Sequence, residues 1–214
     1  MGRRAVGVAI RTVAVLAAFG LGGGASAAPG AWSAGPASSR LLVRVQKRGL
    51  LSGLAHDHEF LATDWRASAA FDPAGGAPAR FEVVVRTGSL RDQQPALSAV
   101  DRAKVDEQAA RTLEAARFPE VRFSADRLVL QPGAQGPEGR LEGALSGTLT
   151  LHGQERPLGV AVRAAREGAG WRATGTVRFR QRDFGVEPFS GFLGTIAVHD
   201  EVEVAFDLLL APEG

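Results

Sequence analysis

The chain has no cysteine, so disulfide cross-links, thiol chemistry and thiolate metal sites are all excluded. It also lacks a Gly-x-Ser-x-Gly elbow for nucleophilic catalysis. No glycine-rich phosphate loop or His-Arg-Asp loop accompanies Arg182-Asp183-Phe184-Gly185, so that run is not a kinase-type Asp-Phe-Gly motif. It reads instead as a local Arg–Asp pair followed by a glycine turn. Carboxylates are scattered over alternating segments, and no acid/base pair stands apart from the rest. Basic residues form no stripe with interleaved aromatics, which argues against nucleic acid as a partner. After the N-terminus there is no further long apolar run, so no stable membrane insertion is expected.

What is present begins with a leader. Gly2-Arg3-Arg4 gives a positive start, an apolar run broken only by Arg11 and Thr12 follows, and Ala25-Ser26-Ala27 has the small-x-small form of a cleavage site. Residues 1–27 therefore read as a signal peptide cut after about Ala27, and the mature protein is expected in the periplasm or secreted. The shortness of the run and Arg11 favour a cleaved leader over an anchor. Arg3-Arg4 leaves a twin-arginine export route open. The whole chain has 25 basic and 23 acidic residues. Three of the basic residues lie in the leader, so the remainder carries 22 against 23, a net charge of −1.

Residues 28–39 are rich in Pro, Gly, Ala and Ser and are expected to be a flexible linker. From residue 40 to about 212 the pattern is that of one mainly β domain. Leu41, Val43 and Val45 alternate with Leu42, Arg44 and Gln46. A second extended stretch runs from about His56 to Phe71, and a third is centred on residues 81–86. Residues 97–116 then lack both Gly and Pro and place Val105, Ala109, Thr112, Leu113 and Ala116 on one face. They predict a single helix capped by Ser98 or Asp101. Strands return at Val121, and the segments 141–151, 171–179 and 202–210 show a strict two-residue period, with a further strand near 158–163. About eight antiparallel strands with one dry face each favour closure into a barrel, which removes exposed edges.

The dry faces alternate large and small: Leu141, Gly143, Leu145, Gly147, Leu149 on one strand and Trp171, Ala173, Gly175, Val177, Phe179 on another. The small residues either leave room for a ligand or ease the coil of the strands, and the residues alone permit both readings. The expected interior comprises Val43, Val45, Phe81, Val83, Val85, Phe123, Leu145, Leu149, Trp171, Val177, Phe179, Val204 and Phe206. His56-Asp57-His58 is the sharpest local feature. In an extended segment both imidazoles share a face, and His152 or His199 could add a third metal ligand. The alternative is that these histidines bond backbone carbonyls.

Five elements in order carry a family resemblance: Phe71-Asp72-Pro73, a helix, the run from Phe118-Pro119 to Phe123, Gly147 to Gly153 with Arg156-Pro157 behind, and Arg182 to Val186. Together they resemble the YceI-like family of exported bacterial proteins, over residues 40 to 212. His56-Asp57-His58 is similar to a His-Asp-His branch of it, and Arg91-Asp92 is a vestige of the family's Arg-Asp-x-x-Leu pattern. The resemblance implies an eight-stranded lipocalin-like antiparallel barrel, with one inserted helix, whose interior holds an isoprenoid or other lipid. The expected function is therefore binding of a small amphiphilic ligand by a monomer or homodimer, as carrier, scavenger or sensor and not as enzyme. No resident cofactor is expected. Residues 49–53 and 88–118 would form the gate. Two rivals stand beside this: a metal-binding protein acting through His56 and His58, and a solid-core interaction module.

Overall fold

In the computed structural model, residues 30–48, 57–71, 79–131, 139–191 and 196–213 are described. The expected leader, His56 and the 49–53 part of the expected gate lie outside them. Twelve strands are present: β1 (Gly30–Ala34), β2 (Arg40–Arg48), β3 (His58–Ala62), β4 (Trp65–Phe71), β5 (Arg80–Arg86), β6 (Leu90–Asp92), β7 (Glu120–Leu130), β8 (Leu141–Leu151), β9 (Gln154–Glu167), β10 (Gly170–Arg180), β11 (Ser190–Gly191) and β12 (Ile196–Pro212). Among the described residues one α-helix, α1 (Ala99–Thr112), joins β6 to β7.

These strands form eight antiparallel lanes. β1 leads into β2, β3 into β4 and β5 into β6, so three lanes are each split in two. β7, β8, β9, β10 and β12 are the other five. Each lane pairs with the next in chain order, and β12 returns to pair with β2 and β1, which closes the barrel. The minor strand β11 lies beside β12 outside this ring.

Side-chain period explains the long lanes. In β8 Leu141, Gly143, Leu145, Leu149 and Leu151 are buried while Glu142, Ala144, Ser146 and Thr148 are exposed, the alternation of a strand with one wet face. The wet face carries cross-strand ion pairs. Arg44 bridges Glu59 (2.7 Å) and Glu203 (2.9 Å), and Arg172 reaches both oxygens of Asp207 at 2.8 Å. Hydrogen bonds donated to Asp207, and then to Glu167, push the Arg172 guanidinium pKa above its usual value. Pairs this exposed add little stability each, but they explain why the arginines form no basic stripe.

Gly147 and Gly175 correct one expectation. A Cβ on Gly147 would strike the Ser124 carbonyl and the Phe123 ring, and one on Gly175 would strike the Ala161 carbonyl and the Phe206 ring. These glycines permit close approach between coiled lanes, and neighbouring side chains already cover them. They do not supply the empty interior volume.

The three split lanes break side by side. Ser39, Thr87 and Ser89 are buried there, where their hydroxyls substitute for missing ladder hydrogen bonds. Thr63 donates to the Ser89 carbonyl from both its N–H (3.1 Å) and its Oγ1 (2.8 Å), and Ser89 Oγ donates to the Asp64 carbonyl (3.2 Å). Thr87 Oγ1 donates to the Phe118 carbonyl (2.7 Å), and Ser39 Oγ accepts from the Leu209 N–H (2.9 Å).

Three further differences from the sequence reading have plain causes. Gly30–Ala34, expected within the flexible linker 28–39, is a strand paired with β4 and β12, because Trp32 buries its indole against Phe71. The helix is shorter than 97–116. Ser98 caps it by accepting from the Asp101 N–H (3.1 Å), and it ends where Glu114 turns left-handed (φ 46) and the Ala115 N–H returns to the Ala110 carbonyl. Ala116 lies in the following turn and is exposed. Arg182 pairs with Glu187 (2.5 Å) instead of Asp183, while Gly185 does make the expected turn at φ 71.

Candidate functional site

The barrel encloses a cavity of about 630 Å³, within the range of small-molecule sites, roughly 300–1,000 Å³. All thirteen residues expected on the interior line it: Val43 and Val45 from β2, Phe81, Val83 and Val85 from β5, Phe123 from β7, Leu145 and Leu149 from β8, Trp171, Val177 and Phe179 from β10, and Val204 and Phe206 from β12. Sequence reading missed the contribution of β9, where Leu158, Val160 and Val162 also face the space. Their two-residue period was visible but was interrupted by Pro157 and Gly159. A cavity of this size weighs against the solid-core alternative.

The two ends of the cavity differ. At the floor, Trp32, Phe71, Leu141, Trp171 and Leu210 form one buried cluster, with Phe71 and Trp171 edge to face at 5.8 Å between ring centres. Arg166 covers the outside of the Trp171 ring at 5.0 Å. At the other end, α1 lies over the opening. Lys104, Val105, Gln108, Ala109, Arg111 and Thr112 line the cavity from one helix face, and no side chain of α1 is fully buried. Lys47, His58 and Gln181 complete a polar rim. Gln181 is held there by donating to the His199 carbonyl (3.0 Å). The interior thus runs from an aromatic floor through aliphatic walls to a polar mouth.

The helix is fastened at both ends. On the β6 side, Asp106 accepts the Asp92 backbone N–H at 2.7 Å, covering a strand edge that would otherwise be open. On the β7 side, His152 at the β8–β9 hairpin sits 3.0 Å from Glu114 through Nε2, and Phe118 packs on its ring with 4.4 Å between centres. Glu114 and His152 are the two non-glycine residues with positive φ among the described residues, so this contact holds two costly backbone conformations in place. The hydrogen bond with His152, and secondarily Arg117, holds the Glu114 carboxyl below the usual carboxylate range.

The histidines expected as metal ligands have separate partners. His58 is bonded to Asp92, His152 to Glu114, and the His199 side chain is exposed. Among the described residues no group of three metal-binding side chains converges. Asp92, dismissed in the sequence as part of a vestigial motif, is fully buried beneath the rim, and no signal in the sequence marks it.

The profile of the YceI-like domain matches residues 32–210. Among solved structures, Burkholderia cenocepacia BcnA superposes with a TM-score of 0.63 at 21% identity, covering 82% of this chain and 97% of that one. A polyisoprenoid binding domain from Saccharophagus degradans, implicated in plant cell wall breakdown, gives 0.61 at 14% identity, covering 85% and 98%. At these identities the likeness is one of fold. None of the curated proteins matches the chain.

Proposed function

The chain belongs to the YceI-like domain family, and from that premise we propose that it is an exported carrier that holds one amphiphile, an isoprenoid or similar lipid, inside its barrel. The observation that carries this reading is the gradient of the roughly 630 Å³ cavity from aromatic floor to polar mouth. Such a gradient matches a ligand with an apolar chain and a polar end. The Saccharophagus domain, described as polyisoprenoid binding, supports the same ligand class through its fold.

Hydrophobic burial is sufficient for useful affinity. Ten buried methylene-sized groups at about 0.8 kcal/mol each give ~8 kcal/mol, which corresponds to roughly micromolar binding before ordering costs. No covalent chemistry is required, and we assign the protein a binding role, not a catalytic one. The leader-like residues 1–27 support export to the periplasm, and Ala55-His56-Asp57-His58 supports placement in the His-Asp-His branch of the family.

Native mass spectrometry of protein purified from the periplasm, with lipid extraction of the same sample, tests the proposal. One bound amphiphile per chain is expected. A ligand-free protein that takes up no long-chain probe overturns it.

A further inference from the structure

Two sequence features that the carrier reading leaves unused meet in the fold. His58 opens β3 and Asp92 closes β6. The antiparallel register that sets Phe60 opposite Asp92 brings the imidazole to the carboxyl, with His58 Nδ1 3.1 Å from Asp92 Oδ1. The partners differ in environment. The Asp92 side chain has no exposure, whereas His58 keeps 19% and lines the cavity.

Asp92 Oδ1 also receives a long contact from the Gln94 N–H (3.4 Å), and Oδ2 is buried without a partner. Burial of a half-satisfied carboxylate is costly, and among the described residues no lysine or arginine pairs with it. Its one strong contact is with the imidazole. With Asp92 accepting from Nδ1–H, the other nitrogen of a neutral imidazole, Nε2, is an acceptor. Among the described residues Nε2 has no partner.

Resting on the carrier reading, we propose that His58 Nε2 accepts a hydrogen bond from a hydroxyl at the polar end of the bound amphiphile, with Asp92 as the positioning residue. The ligand class is a long apolar chain ending in an alcohol or phenol. An anionic head is disfavoured by the buried Asp92 carboxyl beneath His58; the exposed rim cations Lys104 and Arg111 pair with Asp101 (2.9 Å) and Glu107 (2.5 Å). A bare hydrocarbon would leave Nε2 unpaired on binding.

The test titrates the mature protein with farnesol, farnesyl methyl ether and farnesyl phosphate, reading the heat of binding by isothermal titration calorimetry. The ether keeps the chain and the oxygen but cannot donate. Farnesol is expected to bind roughly tenfold tighter than the ether, the worth of about one hydrogen bond. His58→Phe keeps a ring at the rim and is expected to equalise the affinities of the two probes, and that ratio is the readout. Asp92→Asn can donate to Nδ1 and so move the ring proton to Nε2, which is expected to abolish or reverse the preference for the alcohol. Nitrogen-15 shifts of the His58 ring report that tautomer change directly, and thermal unfolding confirms that each variant is folded.

Equal affinities in the wild type, or a preference that survives His58→Phe, overturn the hydroxyl contact and leave the carrier reading standing. Tighter binding of farnesyl phosphate than of farnesol overturns the neutral head in favour of an anionic one. Failure of all three probes to saturate overturns the carrier reading, and this inference falls with it.

Discussion

At the floor of the barrel, Trp32, Phe71 and Trp171 lie with ring centres 4.5 to 5.8 Å apart and are all nearly inaccessible. At the mouth, a fourteen-residue helix spans the opening without burying one side chain completely. The floor is close-packed and gains the full benefit of burial and dispersion. The helix is held over the mouth by a few polar contacts, Asp106 to the Asp92 backbone and Glu114 to His152, and by Leu113 packed on the Leu149, Leu151, Phe184 and Val186 cluster of the barrel wall. Stability is therefore concentrated in the floor and the barrel wall, and not in the helix. The end through which a ligand would pass belongs to the low-stability part of the fold.

The largest expected effect breaks the floor. Trp171→Ala removes a side chain only 2% exposed and should cost about 3–5 kcal/mol, measured by denaturant unfolding. An equally large loss on shortening Val105 of α1 would show that stability is not concentrated as described. Next comes filling the middle. Val177→Trp projects extra volume into the cavity and should weaken a long-chain probe at least tenfold by fluorescence titration, with little change in Tm, since the new ring occupies empty space. A smaller effect is expected at the lane breaks. Thr87→Val leaves the Phe118 carbonyl without its 2.7 Å donor and should cost roughly 1–2 kcal/mol, again by unfolding.

The smallest effect concerns the latch. The Glu114 carboxyl is held low in the folded state by His152, so its contribution is complete above the ordinary carboxylate pKa, ~4.3. It is lost as pH falls through the lower folded value. Acidification below that range should lower the amide protection factors of residues 109–118 while those of the floor strands hold, and Glu114→Gln should remove the pH dependence of those protection factors.

The two ends also differ in how far they could be read from residues. The walls were legible, because a period of two in β8, β10 and β12 survives any detail of closure and led directly to seven of the thirteen cavity residues, the other six coming from β2, β5 and β7. Trp32 was not legible. It stands among Pro, Gly, Ala and Ser, and only pairing with β4, far along the chain, makes its segment a strand. The split lanes were equally hidden, since Thr63, Thr87 and Ser89 are ordinary wet-face residues until their neighbours break at the same level. Glycine misled for a physical reason. A missing side chain looks like free space in a sequence, but in a coiled sheet the adjacent strand moves into it. Asp92 was overlooked because its importance depends on total burial beside His58, a property of the register between β3 and β6.

The aromatic floor also makes the barrel a measuring device. Along β10 eight residue steps separate Trp171 from Phe179, roughly 26 Å of strand at about 3.3 Å per residue, or about 20 Å of depth at a tilt near 40°. A guest anchored by its head at the mouth reaches the indole only if its tail spans that depth. A homologous series of guests should therefore leave the emission of Trp171 unchanged up to one chain length and shift it beyond. Under the proposed carrier role, tails longer still must fold back or protrude, so the floor would set an upper limit on guest length.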